Sequence, residues 1–340
     1  MSADDLKATA QAMVAPGQGV LAADESTGTI TKRFEKLGIE STEETRRDYR
    51  EMLLTAPDIG KYISGVILYD ETIRQKSTDG KPFPEMIRDN DIIPGIKVDT
   101  GAKPLALTEE EKVTEGLDGL RERIAGYVEM GARFAKWRAV ITIGEGIPSM
   151  YCIRTNAHAL ARYAALCQEG GLVPIVEPET LIDGDHTIER CYDVTDVTLH
   201  EVFAELHQQR VDFEGMILKP NMVISGKDCP EQASAEQVAE MTIRCLKRNV
   251  PAAVPGVAFL SGGQSPEQAT ANLNAMNQVG DVPWRLTYSY ARALQQVAMD
   301  AWKGDKSNMD AGRAAIAARA KLVSLASKGE YSEDMEKEAA

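Results

Sequence analysis

The 340-residue sequence lacks the features of a secreted, disulfide-bonded or membrane-spanning protein. Its five cysteines are scattered, odd in number and never in CxxC spacing, so neither a disulfide framework nor a zinc site is expected. The N-terminal residues Met-Ser-Ala-Asp-Asp-Leu-Lys have no apolar signal-peptide core, and no apolar run approaches the length that spans a bilayer. We therefore expect reduced thiols, a cytoplasmic location and no membrane partner.

Positive charge is also in deficit, because 38 Lys and Arg face 52 Asp and Glu and give a formal net charge of −14. A field of this sign argues against nucleic acid and against anionic membrane surfaces as partners. An anionic ligand would have to be held by local cations against that background. The remaining composition, 43% hydrophobic and 26% charged, is ordinary for a globular enzyme.

What the sequence does contain is a regular alternation of short apolar runs and helical patterns. Eight strand-like runs can be counted, at residues 19–24, 62–69, 92–98, 134–137, 172–176, 216–218, 253–260 and 284–289. Eight strands alternating with helices predict an α/β fold of the (β/α)8 or TIM barrel type. A doubly wound sheet is the main rival, but no GxGxxG or GxxxxGK(S/T) loop supports it.

No low-complexity linker divides the chain. We therefore expect one domain over residues 1–340, with an N-terminal helix and a barrel at about 18–303. The C-terminal part, about 304–340, is expected to hold an Ala-rich helix near 309–325 and a short acidic tail. Within the barrel, Ser41-Thr-Glu-Glu44 predicts a capping box at a helix start, and apolar spacing predicts a helix between 114 and 130.

One lysine stands where an apolar strand should end. Lys219 follows the run 216–218, and Pro220 prevents a central strand from continuing. Burial and neighbouring cations both lower the pKa of a lysine, and the neutral amine is the form that makes a Schiff base with a ketone. A lone lysine at a strand end more often extends to solvent. The functional interpretation therefore depends on what the other strand ends carry.

Several other strand-like runs also end in charged residues, namely Asp24, Lys97, Lys136 with Arg138, and Glu177 with Glu179. In a (β/α)8 barrel the C-terminal strand ends meet at one mouth, so we expect these groups to share a site with Lys219. Glu177 and Glu179 could move the protons that Schiff-base formation requires. The alternative is that they are salt-bridge partners of the neighbouring cations.

Two places in the sequence could bind an anion. The loop Ser261-Gly-Gly263 precedes a helix that starts at Ser265, so its backbone N–H groups are available to an anion. Loops after strands seven and eight are the usual phosphate site of this fold, and Arg292 adds a cation there. Lys32 and Arg33 could hold a second anion or could lie on a solvated helix face. Two anion sites flanking a Schiff-base lysine would suit a sugar bisphosphate.

Six short motifs, in order along the chain, give a more specific indication. They are LAADESTG at 21–28, GIKVD at 95–99, FAKWR at 134–138, VPIVEPE at 173–179, LKPNM at 218–222 and FLSGGQ at 259–264. Over about residues 14–330 the sequence closely resembles class I fructose-1,6-bisphosphate aldolases. The resemblance implies a lyase without metal or other cofactor. Such an enzyme reversibly cleaves fructose 1,6-bisphosphate to dihydroxyacetone phosphate and glyceraldehyde 3-phosphate, in glycolysis and gluconeogenesis, and is commonly a homotetramer.

The resemblance also implies roles for single residues at the reacting centre. Lys219 is similar to the Schiff-base lysine, Glu177 to the acid/base that serves its formation, and Asp24 to the group that acts on the C4 hydroxyl. Glu179, Lys136 and Arg138 are implied to tune and position this centre.

For the substrate phosphates, the resemblance implies two groups of residues. The C1 phosphate is assigned to Ser261, Gly262 and Arg292, and Ser26, Arg33 and Lys97 are assigned toward the C6 phosphate. Gly263, Ser289 and Thr29 complete the implied substrate-binding set.

Three departures from the family pattern affect these expectations. Thr29 stands where many relatives have Ser, and this replacement keeps a hydroxyl. Ala291 stands where many have Gly, so the resemblance does not imply a backbone contact to phosphate at that position. Many relatives end in a tyrosine that assists proton exchange at C3, whereas this sequence ends in Met-Glu-Lys-Glu-Ala-Ala340. Tyr331 could fold over the mouth or pack after Gly329. We expect the second, with Glu177 or an ordered water carrying the C3 proton.

Other activities fit the sequence less well. A metal-dependent class II aldolase needs a histidine-rich site, and the chain has only His158, His186, His200 and His207. The segment Asp183-Gly-Asp-His186 is expected to be a polar turn. A transaldolase-type enzyme would share the lysine but not two phosphate sites. A second, non-enzymatic binding role stays open, as does the preference between fructose 1-phosphate and the bisphosphate.

Overall fold

The computed structural model describes residues 2–339, and its centre is a closed barrel of parallel strands. The strands are β1 (Gly19–Ala23), β2 (Ile63–Leu68), β3 (Ile93–Lys97), β4 (Gly101–Pro104), β5 (Lys112–Glu115), β6 (Phe134–Ile141), β7 (Val173–Thr180), β8 (Ile217–Leu218), β9 (Gly256–Phe259) and β10 (Arg285–Tyr290). All but β4 and β5 belong to the barrel, in the order β1-β10-β9-β8-β7-β6-β3-β2. Val20 of β1 lies opposite both Gly65 of β2 and Ser289 of β10, which closes the barrel. The predicted (β/α)8 fold is confirmed, and the open doubly wound sheet is wrong.

Helices surround the barrel and extend to both ends of the described chain. They are α1 (Ala3–Met13), α2 (Thr27–Glu35), α3 (Glu43–Leu54), α4 (Asp70–Arg74), α5 (Phe83–Arg88), α6 (Leu120–Glu129), α7 (Met150–Glu169), α8 (Ile188–Gln208), α9 (Ala235–Asn249), α10 (Pro266–Val279), α11 (Arg292–Trp302), α12 (Met309–Ala326) and α13 (Asp334–Ala339). Within residues 2–339, no helix is both long enough and apolar enough to cross a membrane.

The barrel strands are apolar because both of their faces are buried. Outward-facing side chains pack under the helices, while Val20, Ile67, Phe134 and Ile175 belong to a separate cluster inside the barrel. Gly95 in β3 makes room for this interior, since a Cβ there would lie 2.2 Å from Cζ of Phe134. Residues of α1 join the same interior cluster and cover the end of the barrel from which β1 starts.

The two strands that carry most of the charged groups are longer than predicted. β6 and β7 pair from Phe134 opposite Val173 to Ile141 opposite Thr180. Glu177 and Glu179 therefore lie within β7, and the extended backbone holds both carboxylates on a paired strand rather than on a loop.

Two local predictions are wrong. The helix predicted from residue 114 begins at Leu120, because residues 112–115 form β5, which pairs with β4 as an antiparallel hairpin. The capping box predicted at Ser41 is formed instead by Thr42, whose hydroxyl accepts a hydrogen bond from the backbone N–H of Thr45 at 3.1 Å.

The C-terminal helix was predicted at 309–325 and is found as α12, and part of the expected acidic tail forms α13. Ala340, the last residue of that tail, lies outside the described residues. The assignment of the chain to a single domain, with the barrel at about 18–303, stays a prediction.

Candidate active site

A cavity of about 420 Å³ opens at the C-terminal ends of the barrel strands. It is lined by the predicted catalytic residues Asp24, Lys136, Glu177, Glu179 and Lys219. It is also lined by the predicted substrate-binding residues Ser26, Thr29, Arg33, Lys97, Arg138, Ser261, Gly262, Ser289 and Arg292. The fold thus brings charged strand ends from distant parts of the sequence to one mouth.

Gly263 is the predicted site residue that does not line this cavity. A Cβ on Gly263 would lie 2.8 Å from Cγ2 of Ile182, so its α-carbon faces the segment that follows β7. Gly262 does line the cavity and has a φ of 57°, a backbone conformation that favours glycine. Of the predicted glycine pair, one member therefore lines the mouth.

Four buried charged side chains form a continuous chain at the centre of the mouth. Nζ of Lys219 lies 3.1 Å from Oε1 of Glu177, and Nζ of Lys136 lies 3.1 Å from Oε2 of the same residue. Lys136 also reaches Asp24, with 2.7 Å between Nζ and Oδ2. Glu177 therefore lies between two amines, and Lys136 lies between two carboxylates.

The two lysines have pKa values that shift in opposite directions. Burial lowers the pKa of Lys219, and the ammonium of Lys136 lowers it further, while Glu177 opposes both effects. Burial would also lower the pKa of Lys136, but Asp24 and Glu177 outweigh it and raise that pKa. Lys136 is thus a fixed cation, whereas Lys219 can lose its proton more easily than an ordinary lysine. A lowered pKa for Lys219 was predicted from the sequence, although burial contributes more to it than the repulsion between cations.

Asp24 and Glu177, the two carboxylates among these four side chains, stay ionised. Burial would raise the pKa of Asp24, but Lys136 and Lys219 outweigh burial and lower this pKa to about 2. For Glu177 burial again acts to raise the pKa, and the same two amines reverse the effect and lower it. Both groups can therefore accept a proton at neutral pH.

Further charged side chains line the mouth beside these four. Arg138 and Glu179 form an ion pair between β6 and β7, and Glu177 pairs with Lys136 and Lys219, so both carboxylates have the cationic partners of the salt-bridge alternative. Of the two, Glu177 contacts the nucleophile candidate. Nζ of Lys97 lies 2.5 Å from Oδ1 of Asp99. The other carboxylate oxygen of Asp99 accepts a hydrogen bond from the backbone N–H of Arg138 at 3.2 Å. Asp99 thereby connects the end of β3 to the middle of β6.

The first anion-binding candidate lies at the ends of β9 and β10. Ser261 and Gly262 line the mouth, and Nη2 of Arg292 donates to the carbonyl oxygen of Gly262 at 3.0 Å. The hydroxyl oxygen of Ser289 is buried and has no hydrogen-bond partner within residues 2–339. These groups leave donors available to a ligand on this side of the mouth.

The second anion-binding candidate lies beyond β1, around Arg33. Arg33 lines the cavity, whereas Lys32 is exposed and does not. The Nε and Nη2 atoms of Arg33 are buried without a hydrogen-bond partner in the described part of the chain. The hydroxyls of Ser26 and Thr29, also in the lining, lie 3.1 Å apart.

Several lining residues were not predicted from the sequence. Tyr69 follows the end of β2 and could have been found by the rule that identified the other strand ends. Thr100, Gly101 and Ala102 enter the lining through the β4–β5 hairpin, which was not predicted because its short polar strands show no apolar alternation. Glu25 lies next to Asp24 and was not assigned a role.

No group of three or more His, Cys, Asp and Glu side chains within residues 2–339 is arranged to hold a metal ion. In the segment that hinted at a metal site, Asp183 instead pairs with Lys227 at 2.5 Å. His186 of the same segment is buried, and burial lowers its pKa.

Comparison with known proteins places the chain in a family. A family model described as fructose-bisphosphate aldolase class-I matches residues 5–340. The chain belongs to the class I fructose-bisphosphate aldolase family. The resemblance, the barrel and the enzyme class, a metal-independent aldehyde-lyase, are confirmed.

Aldolase relatives match the chain over nearly its whole length. A probable fructose-bisphosphate aldolase class 1 of Xanthomonas campestris is 61% identical over 97% of this chain and 99% of its own. A fructose-bisphosphate aldolase of Dictyostelium discoideum is 53% identical over 97% of this chain and 93% of its own. The solved aldolase of Plasmodium falciparum, in complex with TRAP and a small-molecule inhibitor, is 48% identical. It superposes with a TM-score of 0.96 over 98% of this chain and 97% of the aldolase chain.

Proposed function

We propose that this aldolase reversibly cleaves fructose 1,6-bisphosphate to dihydroxyacetone phosphate and glyceraldehyde 3-phosphate, as in glycolysis and gluconeogenesis, with Lys219 as the Schiff-base lysine. The observation that supports this assignment best is the buried chain Lys219–Glu177–Lys136–Asp24 in the mouth. It supplies one amine with a lowered pKa, one fixed cation and two ionised carboxylates.

Schiff-base formation uses Lys219 and Glu177. The neutral amine of Lys219 attacks the C2 carbonyl carbon, and the resulting carbinolamine loses water to give an iminium ion. Glu177, 3.1 Å from the amine, takes the proton released on attack, while a proton from solvent converts the C2 alkoxide to a hydroxyl. Glu177 then gives its proton to this hydroxyl, which leaves as water. Lys136 stays protonated and stabilises the carboxylate before each proton transfer.

Carbon–carbon cleavage uses Asp24. Its carboxylate accepts the proton of the C4 hydroxyl, the C3–C4 bond breaks, and the electron pair moves into the iminium to form an enamine. The pKa of about 2 keeps Asp24 ionised for this step at neutral pH. Glyceraldehyde 3-phosphate leaves, and Glu177 or an ordered water protonates C3 of the enamine before hydrolysis releases dihydroxyacetone phosphate.

The remaining site residues bind and orient the substrate. Arg138 and Glu179 position the reacting centre, and Ser261, Gly262, Ser289 and Arg292 bind the C1 phosphate end, with Gly263 contributing through the loop backbone. Ser26, Thr29, Arg33 and Lys97 lie toward the C6 phosphate. Ser289 and Arg33 have donors without a partner among the described residues, which supports phosphate at both ends, because buried donors without partners are costly until a ligand fills them.

Sugar phosphates are the partners that this site suits. We further propose that the enzyme needs no cofactor and is a cytoplasmic homotetramer without nucleic-acid or membrane partners. The unpaired cysteines support a reducing compartment, and the net charge of −14 argues against polyanionic partners.

A trapping experiment tests the assignment. Borohydride added with dihydroxyacetone phosphate should attach the label to Lys219 alone, located by peptide mapping, and turnover of fructose 1,6-bisphosphate should survive exhaustive chelation. Label on Lys136 or Lys97 would contradict the role of Lys219. Inactivation by EDTA with recovery on adding zinc would contradict the Schiff-base mechanism.

A further inference from the structure

Gln295 is a fully buried glutamine on α11, one turn after Arg292. Its Oε1 accepts hydrogen bonds from the hydroxyl of Tyr49 at 2.8 Å and from Nη1 of Arg33 at 3.3 Å. Its Nε2 donates to the carbonyl oxygen of Ala22 at 2.5 Å. Because a carbonyl oxygen can only accept, the contact with Ala22 determines which end of the amide faces Arg33.

Arg33 is the residue that Gln295 orients in the mouth. Nη1 of Arg33 also contacts Oε1 of Glu25 at 2.5 Å, so two acceptors hold one nitrogen of the guanidinium. A guanidinium is planar and rigid, and fixing one of its nitrogens therefore directs the other two. Those two, Nε and Nη2, are the buried donors without partners among the described residues.

The cluster behind Arg33 has a surplus positive charge. Nη2 of Arg50 lies 2.8 Å from Oε2 of Glu25, and the Arg50 side chain is 3% exposed. Two guanidinium groups thus share one carboxylate, which leaves one net positive charge beside the cavity. A neutral amide at 295 can orient Arg33 without cancelling that charge, whereas a second carboxylate there would weaken the attraction for an anion.

We propose that Gln295 is a positioning residue that orients Arg33 toward the 6-phosphate of the substrate. The proposal rests on the assignment of Arg33 to that phosphate under the proposed function. Arg292 contributes directly at the C1 end and Gln295 indirectly at the C6 end, so α11 supports both ends of the mouth. Loss of the Gln295 amide should therefore impair substrates that carry a 6-phosphate more than substrates that lack it.

The test compares kcat/KM for fructose 1,6-bisphosphate and for fructose 1-phosphate, which lacks the 6-phosphate. The ratio measured is kcat/KM for fructose 1,6-bisphosphate divided by kcat/KM for fructose 1-phosphate. Gln295→Met removes both hydrogen-bonding functions at similar volume. We expect it to lower this ratio about tenfold, mainly by raising KM for the bisphosphate. Gln295→Glu is nearly isosteric but adds a charge, and it should lower the ratio further. The matched control is Gln296→Ala, because the neighbouring amide donates to Asp300 at the surface, and its ratio should not change.

Arg33→Met separates this inference from the proposed function. An unchanged ratio in Arg33→Met would show that Arg33 does not bind the 6-phosphate, and both the assignment and the inference would fail. A lowered ratio in Arg33→Met, with both Gln295 variants impairing the two substrates equally, would leave Gln295 a structural role and overturn the inference alone. If Gln295→Met does not fold, Gln295→Glu decides the question by the same ratio.

Discussion

Two of the regions in which this aldolase buries charged side chains are the mouth of the barrel and the outer face where the C-terminal segment packs. In the outer region, Nη1 of Arg319 donates to both carboxylate oxygens of Glu336, at 2.6 and 2.7 Å, and the Tyr331 hydroxyl donates to Oε1 at 2.9 Å. In the mouth, Glu177 contacts two lysines at similar distances. The mouth cluster lines the cavity at the strand ends, and the outer cluster lies outside that lining.

The two clusters differ in which of their polar groups remain available to contact a ligand. Arg319 also donates to the carbonyl oxygen of Pro266 at 3.0 Å and to the hydroxyl of Thr270, so most of its donors are used to attach α12 and α13 to α10. In the mouth, Lys136 has two carboxylate partners, which outweigh burial and raise its pKa. Lys219 has one such partner, so burial and the Lys136 ammonium lower its pKa. Buried charge by itself therefore does not identify an active site. An amine with a lowered pKa beside a cavity does.

The largest effect should come from replacing the nucleophile. Lys219→Arg keeps a positive charge but removes the amine, since a guanidinium stays protonated and cannot attack a carbonyl, and we expect no measurable cleavage of fructose 1,6-bisphosphate. The measurement is turnover in a coupled assay, with circular dichroism to establish folding. Lys227→Arg is the matched control, because Lys227 lies in an exposed pair with Asp183 and should keep full activity. Turnover by a folded Lys219→Arg variant would show that the reaction does not need the amine of Lys219. That amine would then no longer distinguish the mouth from the outer region.

A pH profile of Lys136→Met tests how the mouth is tuned. The ammonium of Lys136 lowers the pKa values of Asp24, Glu177 and Lys219, so its removal should raise all three. The reaction needs Asp24 ionised and Lys219 neutral, and both conditions are then met only at higher pH. We expect the acid limb of kcat/KM to move to higher pH and the rate at neutral pH to fall about 100-fold.

Lys136→Arg is the control for this profile because it restores the charge, and its acid limb should lie closer to that of the unmodified enzyme. An acid limb that stays in place in Lys136→Met, or that moves to lower pH, would mean that Lys136 does not set these pKa values.

Much of the mouth could be predicted because parallel strands buried on both faces are apolar in sequence and end in the functional residues. Asp24, Lys97, Glu177 and Lys219 were found in this way. The opposite behaviour of the two lysines could not be predicted, since it depends on how many carboxylates each amine contacts after folding.

Other features were missed for equally physical reasons. The β4–β5 hairpin has no apolar alternation and is held by backbone pairing, so Thr100 to Ala102 were not assigned to the mouth. Gln295 lies near the start of α11, and its partners Tyr49 and Arg33 are more than two hundred residues away in sequence. Gly263 could not be separated from Gly262 without the position of Ile182.

A substitution in the outer region should change stability and leave catalysis unaffected. Arg319→Met removes the ion pair with Glu336, and we expect the free energy of unfolding to fall by about 2 kcal/mol while kcat/KM stays unchanged. Chemical denaturation and steady-state kinetics give the two quantities. Arg313→Met is the control on the same helix, because Asp310, its ion-pair partner, is 94% exposed and the pair should contribute less than about 1 kcal/mol. A large loss of kcat in folded Arg319→Met would contradict the division into two regions.

The smallest effect is expected from Tyr331→Phe, which asks whether the outer region supplies the proton for C3. Tyr331 is buried, lies outside the lining of the mouth, and its hydroxyl donates to Glu336. Burial, and after it the Glu336 carboxylate, raise the pKa of Tyr331, which makes the phenol a weaker acid. We therefore expect exchange of tritium from C3 of labelled dihydroxyacetone phosphate to continue at its usual rate, with a loss of about 1 kcal/mol in unfolding free energy.

Tyr151→Phe, at an exposed tyrosine, is the control for the substitution itself and should change neither quantity. If Tyr331→Phe stops the exchange while borohydride still traps Lys219, Tyr331 is the proton donor, and the proposed role of Glu177 or an ordered water at C3 is wrong.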